Sequence, residues 1–308
     1  MSGKQRFLAR FWGVRGSYPT PGPHTLRHGG NTSCVEVQAG KHTLIFDAGS
    51  GIIRLGEEIM RRTKDKSCDL SLFITHGHGD HLIGFPFFAP LFKSSVDIHI
   101  FGPCLQGQTI EQLVTPIMSP PYFPVDIHRL PCGRTFHTIT DNEHIIWRWG
   151  QTKPGIVAAH EDTQETEVRV TAQFTGSHPL NGAVIYRVEY AGRCLVYATD
   201  VEWSDGHDPA FLAFAEGADL LIHDAQYTTD DYRQTKRGYG HSTIEMATVT
   251  AAAARVRELI LFHHEPTYDD TQLDQMEAEA RKHFARTRSA CEGMEIDLLA
   301  QGSEKGLL

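Results

Sequence analysis

The sequence predicts an α/β protein in which two β-sheets pack face to face with helices on their outer sides. Three observations predict it. Short apolar, β-branched runs are interleaved with amphipathic or alanine-rich helical stretches. The pattern occurs in two similar halves of the chain. Several strand runs also close on histidine or aspartate, and strand ends opening into loops are where layered folds place chemistry.

In the first half, Cys34–Gln38 and Thr43–Asp47 read as strands, being short, β-branched and bounded by glycine. After the turn Ala48-Gly49-Ser50-Gly51, the spacing of Ile52, Ile53, Leu55, Ile59 and Met60 predicts an amphipathic helix to about Arg62. The apolar run Leu70–Ile74 predicts a buried strand, and a short helix is expected near Asp80–His81. Ile98–Phe101 reads as a strand and Leu105–Val114 as a helix. Thr115–Pro124 holds four prolines with Met118, Tyr122 and Phe123, which excludes a regular helix or central strand. It is either a surface loop or an apolar lid. In the second half, Val168–Phe174, Ala183–Tyr190, Arg193–Ala198, Leu220–His223 and Glu258–Phe262 read as strands. Ser242–Val256 and Asp270–Phe284 read as helices.

No repeat, low-complexity tract or Gly/Ser linker divides the 308 residues, so one domain over 1–308 is expected. The net charge of -9, from 29 basic and 38 acidic side chains, disfavours a broad nucleic-acid footprint. It leaves room for one nucleotide held by metal ions, which outweigh nearby carboxylates locally. No apolar run is long enough to span a membrane, and the N-terminus lacks an apolar signal core, so a cytoplasmic location is expected. Cys34, Cys68, Cys104, Cys132, Cys194 and Cys291 are scattered with no zinc-ribbon or redox spacing, which suits buried or idle thiols.

The strongest signal is Thr75-His76-Gly77-His78-Gly79-Asp80-His81, with Gly84 three residues on. Three imidazoles and a carboxylate follow directly on an apolar strand. The intervening glycines are expected to let the backbone turn and aim the four side chains inward. A lone histidine is more often structural; four such groups within six residues mark a metal site. Imidazole with carboxylate suits zinc, manganese or iron.

The pattern His-x-His-x-Asp-His-x-x-Gly resembles the signature of the metallo-β-lactamase superfamily, whose fold is an αββα sandwich. Phe46-Asp47-Ala48-Gly49-Ser50-Gly51 resembles its early Asp-x-Gly turn, where Asp47 reads as a turn cap. Four downstream pieces are similar to the branch holding ribonuclease Z, PhnP-type and cyclic-nucleotide phosphodiesterases. They are Ser177-His178-Pro179, Tyr197-Ala198-Thr199-Asp200, Leu261-Phe262-His263-His264 and Gly240-His241-Ser242-Thr243. Alone, a His-Pro pair is usually a loop and a strand-ending Asp a helix cap; their order carries the resemblance.

The resemblance implies one metal held by His76, His78, His178 and Asp200, and a second held by Asp80, His81, His263 and again Asp200. A shared carboxylate lets two divalent ions, zinc first and manganese or iron next, sit ~3.5–4 Å apart, where an intervening water loses a proton near neutral pH. Asp80 is a candidate to orient that water. His241 is the candidate proton donor to the leaving group, positioned by Asp224, or else a neighbour of a helix cap at Ser242. Related proteins often carry His-Glu-Ala where this chain has His223-Asp224-Ala225, so Asp224 is a shortened equivalent. His223 is read as structural, and His264 as pointing away from its ligand neighbour. His99, His128, His137, His144 and His160 are read as non-ligands. Arg15 and Asn31 either touch substrate or serve turn chemistry.

The function expected first is hydrolysis of a small phosphodiester or nucleotide, such as a cyclic nucleotide. The alternatives are tRNA 3′ processing of the ribonuclease Z kind, lactone or thioester hydrolysis, and a non-catalytic metal-bound sensor. Dimers are frequent in the branch, which leaves room for a homodimer.

Overall fold

The computed structural model describes residues 5–64, 66–158, 161, 166–180, 182–203 and 208–300. His160 lies outside the described residues. The first sheet contains β1 (Phe7–Gly13), β2 (Cys34–Ala39), β3 (His42–Phe46), β4 (Cys68–Phe73), β5 (Val96–Pro103), β6 (Gly133–Ile139) and β15 (Glu295–Asp297), in the order β15-β1-β2-β3-β4-β5-β6. The second contains β7 (His144–Arg148), β8 (Gly155–Val157), β9 (Thr166–Thr175), β10 (Ala183–Tyr190), β11 (Arg193–Ala198), β12 (Leu220–Asp224), β13 (Leu259–Phe262) and β14 (Thr287–Ser289), in the order β14-β13-β12-β11-β10-β9-β7-β8. The helices are α1 (Gly51–Thr63), α2 (Ile110–Val114), α3 (Pro209–Ala215), a single turn α4 (Thr229–Asp231), α5 (Ile244–Ala253) and α6 (Asp270–His283).

Strand alternation builds the middle layer. Phe7, Ala9 and Phe11 of β1, with Val35 and Val37 of β2, meet Val168 and Val170 of β9 and Val184, Tyr186 and Val188 of β10 in one core between the sheets. Ile45 of β3, Leu70 and Leu72 of β4 and Ile98 and Ile100 of β5 face outward onto Ile52, Leu55 and Ile59 of α1. On the far side, Val196, Leu221, Leu259 and Leu261 are covered by Phe211, Ala247, Ala251, Leu273 and Met276 of α3, α5 and α6. The expected sandwich is therefore present, with helices outside both sheets.

β3 to β6 run parallel in one sheet and β11 to β14 run parallel in the other. The two sheets are tied where the first block ends: Tyr186 Oη donates to Ile74 O at 2.7 Å and Val184 N to Thr75 O at 3.0 Å.

Several boundaries differ from expectation for local reasons. α2 starts at Ile110 and not Leu105, because Leu105 and Gln108 pair across a turn with Gln106 and Gly107 at positive φ, and Thr109 with Gln112 forms a capping box. α5 is capped by Thr243, which accepts from Met246 N. Ser242, the expected cap, donates to Val201 O at 2.6 Å instead. Elements β1, β6, β7, β8, β14, β15, α3 and α4 were not expected; β1 carries the apolar alternation, with Phe7, Ala9 and Phe11 facing the core and Arg10 on the opposite face. Met118 of the proline-rich segment is buried against the first sheet's outer core while Tyr122 stays exposed, so the segment is anchored at one point and open at another. Among the described residues no helix is long and apolar enough to cross a membrane.

Candidate metal centre

Five strand ends deliver the polar residues to one place. β3 leads into Asp47, β4 into His76–His81, β11 into Asp200, β12 ends at Asp224, and β13 leads into His263. Asp47, Asp200 and His263 each take a left-handed backbone conformation, with φ of 62°, 57° and 62°. Such conformations cost free energy for a residue with a Cβ and cluster where function demands them. Gly77 and Gly79 were expected to provide the sharp turn, yet neither adopts positive φ. The turns that aim the site are made by its own acidic and histidine residues.

Two donor sets result. His76, His78, His178 and Asp200 bring ligand atoms within 4.8 Å of one another, and so do Asp80, His81, Asp200 and His263. In the first, His178 Nε2 is 3.1 Å from His78 Nδ1, while Asp200 Oδ1 is 3.6 Å from His76 Nε2 and 3.8 Å from His178 Nε2. In the second, Asp200 Oδ2 is 3.1 Å from His81 Nε2 and 3.4 Å from His263 Nε2. Asp80 Oδ2 lies 3.3 Å and 3.1 Å from the same two nitrogens. Asp200 thus turns one oxygen to each set. All seven residues expected to hold metal converge here.

The outward nitrogens of the rings are held as well. His81 Nδ1 donates to Asp47 Oδ2 at 2.8 Å. The same carboxylate accepts from Thr75 N at 2.8 Å and Tyr197 Oη at 2.9 Å. Asp47 is therefore no turn cap: it crosses to His81 and fixes which ring nitrogen faces the site. Thr75 Oγ1 donates to Asp47 and accepts from His76 Nδ1 at 3.0 Å. His178 Nδ1 donates to Gly240 O at 3.0 Å. Gly240 has φ +90° and its absent Cβ would lie 2.3 Å from His178 Nδ1, so no other residue fits. Ser17 N donates to Asp80 Oδ2 at 2.8 Å.

The donor atoms suit cations. The buried Nε2 atom of His76 has no hydrogen-bond partner, as expected of a lone pair reserved for an ion. Burial pushes the pKa of His76, His78 and His178 down, which leaves neutral imidazoles. In the other set, burial opposes charge, but Asp200 with Asp80 outweighs it and raises His81 well above its ordinary value. His263 is raised to about 9 in the same way. Burial also disfavours the Asp80 carboxylate, yet His81 and His263 hold its pKa far below the usual range. These protons occupy the place of a cation, which would displace them on binding.

Beside the two sets stands a dyad. His241 Nδ1 donates to Asp224 Oδ2 at 2.8 Å, so the shortened side chain does reach. Asp224 is fully buried and also accepts from Asp200 N, Gln226 N and Ser242 N. The His241 ring stacks on His263 at 4.9 Å and lies 5.1 Å from His178.

Other residues fall outside the site. Arg15 is fully buried and clamps three backbone carbonyls, of Gly29, Glu265 and Tyr268. Asn31 bonds Glu292 and Ser50. Both are architectural and do not face the donor sets. His223 is held between Trp203 and the Asp224 carbonyl, and His264 turns to Ala290 O. His99 pairs with His137, and His144 with Thr171; His128 is exposed. Asp47, Thr75, Ser17 and Tyr197 were missed as site supports. Only Asp47 carried a signal, its place in the Asp-x-Gly turn.

A family profile described as "Beta-lactamase superfamily domain" matches residues 42–264, which include every donor above. The chain belongs to the metallo-β-lactamase superfamily. Within it, the chain sits in the ribonuclease Z branch and is a metal-dependent hydrolase. It is 30% identical over 270 residues to a ribonuclease Z of Thermococcus gammatolerans, covering 78% of this chain and 81% of that protein. Its fold is similar to that of the Bacillus subtilis metallo-β-lactamase fold protein YhfI, with a TM-score of 0.67, 20% identity and 96% and 100% of the two chains covered. It is also similar to human tRNase Z, short form, with a TM-score of 0.62, 21% identity and 94% and 99% covered.

Proposed function

We propose that this chain hydrolyses phosphodiester bonds of RNA, as a ribonuclease Z-like endonuclease processing tRNA 3′ ends. The observation that carries the proposal is the placement of His241. Its Nδ1 is tied to Asp224, and its ring stands against both His178 and His263. A thioester, whose thiolate leaves unprotonated, has no comparable need for a proton donor in this position. An RNA alkoxide is a poor leaving group that does need one.

His76, His78, His178 and Asp200 would hold one divalent ion, and Asp80, His81, His263 and Asp200 the other. Two such ions, zinc first among those the donors suit, would supply positive charge to the non-bridging phosphate oxygens and lower the pKa of a water toward neutrality. Asp80, fixed by Ser17 N, orients the attacking water. His241 delivers the proton on Nε2 to the departing oxygen, while Asp224 keeps the ring's other nitrogen protonated and its plane fixed.

The cyclic nucleotide expected first yields to RNA, because the curated relatives are named ribonuclease Z. The same relatives weigh against excluding an extended nucleic acid, and bound cations offset the net charge of -9 locally. That charge is what still favours a small diester as the second reading. We place the activity in the cytoplasm, where the six free cysteines would stay reduced.

The test is turnover of pre-tRNA, a cyclic nucleotide panel and bis-p-nitrophenyl phosphate, before and after chelation. Cleavage of pre-tRNA that disappears on chelation and returns with zinc is expected. Hydrolysis of cyclic nucleotides with pre-tRNA left intact would overturn the RNA assignment; lactone or thioester cleavage alone would overturn the diesterase.

A further inference from the structure

We propose that the segment Tyr232–Tyr239 is a preformed platform that grips single-stranded RNA beside the hydrolytic centre, an inference that rests on the RNA reading above. The segment is Tyr-Arg-Gln-Thr-Lys-Arg-Gly-Tyr, three cations and no acid in a chain of net charge -9. It opens with a rare π-helical turn, Tyr232–Lys236, a form found mostly at functional sites.

One side chain pins both ends. Glu202 Oε1 accepts from Tyr232 Oη at 2.5 Å and Gly238 N at 2.7 Å, and its Oε2 accepts from Gly240 N at 2.7 Å. With the ends fixed, Arg233 and Arg237 are left exposed. Lys236 Nζ sits over two aromatic rings, 5.4 Å from that of Tyr227 and 5.5 Å from that of Tyr239. The Tyr227 ring in turn lies 5.9 Å from His241, so ring and cation contacts lead outward from the proton donor to Tyr239, which is 57% exposed. Of the flanking acids, Asp231 is turned to Tyr268 and Glu245, which lines the adjoining groove, to Thr229, while Asp230 is exposed. A groove of about 400 Å³ between the segment and the start of α5 has Arg233 and Arg237 on its wall.

Cations beside an exposed aromatic ring are an arrangement that holds a single strand: the cations track phosphates and the Tyr239 ring stacks a base, without reading sequence. Because Glu202 fixes the segment beforehand, little ordering remains to be done when RNA binds.

The test is fluorescence anisotropy of the metal-loaded full chain with a labelled phosphorothioate oligouridylate of about 12 nucleotides, between about 50 and 200 mM KCl. Arg233→Ala/Lys236→Ala should flatten the log Kd against log salt slope by roughly 1.4, about 0.7 for each single-strand phosphate that a cation no longer neutralises. Tyr239→Ala should weaken binding about tenfold with the slope unchanged, since stacking releases no counterions. Wild-type slope and affinity in both variants would overturn the platform. If wild type hydrolyses bis-p-nitrophenyl phosphate yet both variants bind RNA unaltered, the platform alone fails. If the slopes change as expected but no diester is hydrolysed, the platform stands and the hydrolytic reading fails.

Discussion

Replacing Asp47 by Asn would separate the two halves of the metal centre. Asp47 is fully buried, and its two oxygens accept from Thr75 N, Thr75 Oγ1, His81 Nδ1 and Tyr197 Oη at 2.8, 3.0, 2.8 and 2.9 Å. Asn keeps the volume but has one acceptor. If its oxygen stays on Thr75, its amide faces His81 Nδ1 and Tyr197. His81 must then carry its proton on Nε2, the nitrogen aimed at Asp80 and Asp200, where a proton blocks ligation. If the amide is turned over, Thr75 N faces a second donor and loses its partner, at about 1–3 kcal/mol. The second orientation keeps the His81 proton on Nδ1 but strands the buried Thr75 N, so the first, in which every group finds a partner and the His81 tautomer is reversed, is the one expected. Loss of such an outer partner lowers metal affinity about 10–100-fold, or about 1.4–2.8 kcal/mol. His76 and His178 are oriented by Thr75 and Gly240, so their set should keep its affinity. Zinc titration against a chromophoric chelator, with total metal counted by mass spectrometry, should therefore give one tight ion and one weakened by that factor. Two ions bound as tightly as in wild type would refute the reasoning.

Three further perturbations have defined outcomes. His241→Ala should lower kcat on RNA about 10²–10⁴-fold with metal content intact, and lower it far less on bis-p-nitrophenyl phosphate, whose leaving group needs no proton; loss of metal would mean that His241 is a ligand. Gly16→Ala places a Cβ 2.4 Å from His263 Cε1 and 2.5 Å from its Nδ1, so overpacking should cost about 1–3 kcal/mol by urea unfolding and weaken the ion on His263; wild-type values of both would contradict the close approach. Burial and then neighbouring His99 push the pKa of His137 down to about 4, against about 6.5 for an unfolded histidine. The unfolded chain thus takes up a proton between pH 6.5 and 4 that the folded chain refuses, so this contribution is full above about 6.5 and is lost as pH falls toward 4, at most about 3 kcal/mol. His137→Asn should flatten the stability–pH curve in that window, and an unchanged curve would show that other groups set it.

How much of this was legible depends on distance along the chain. His76, His78, Asp80 and His81 announce themselves because four donors fall within six residues. His178, Asp200 and His263 are far apart and became readable only through the motifs around them. Their meeting place follows from two parallel blocks ending side by side, which no local pattern encodes. Strands in the middle of the sheets were visible as apolar runs, whereas the edge elements β8, β14 and β15 are three residues each and bury too little to leave a trace. Arg15 read as a substrate contact or a turn residue; that it is sealed under three carbonyls is a property of the loops around it. Asp47 shows the same limit, since a carboxylate in a turn cannot declare that its partner lies 34 residues on.

Neither sheet owns a complete set of donors. The first contributes the His76–His81 loop, and the second contributes His178, Asp200 and His263. An ion seated there is a rivet driven through both layers, and it can be set only after they have closed on each other. Metal uptake during refolding should consequently lag behind strand formation, and an occupied centre should resist the shearing of one layer past the other more than the greasy interior does by itself.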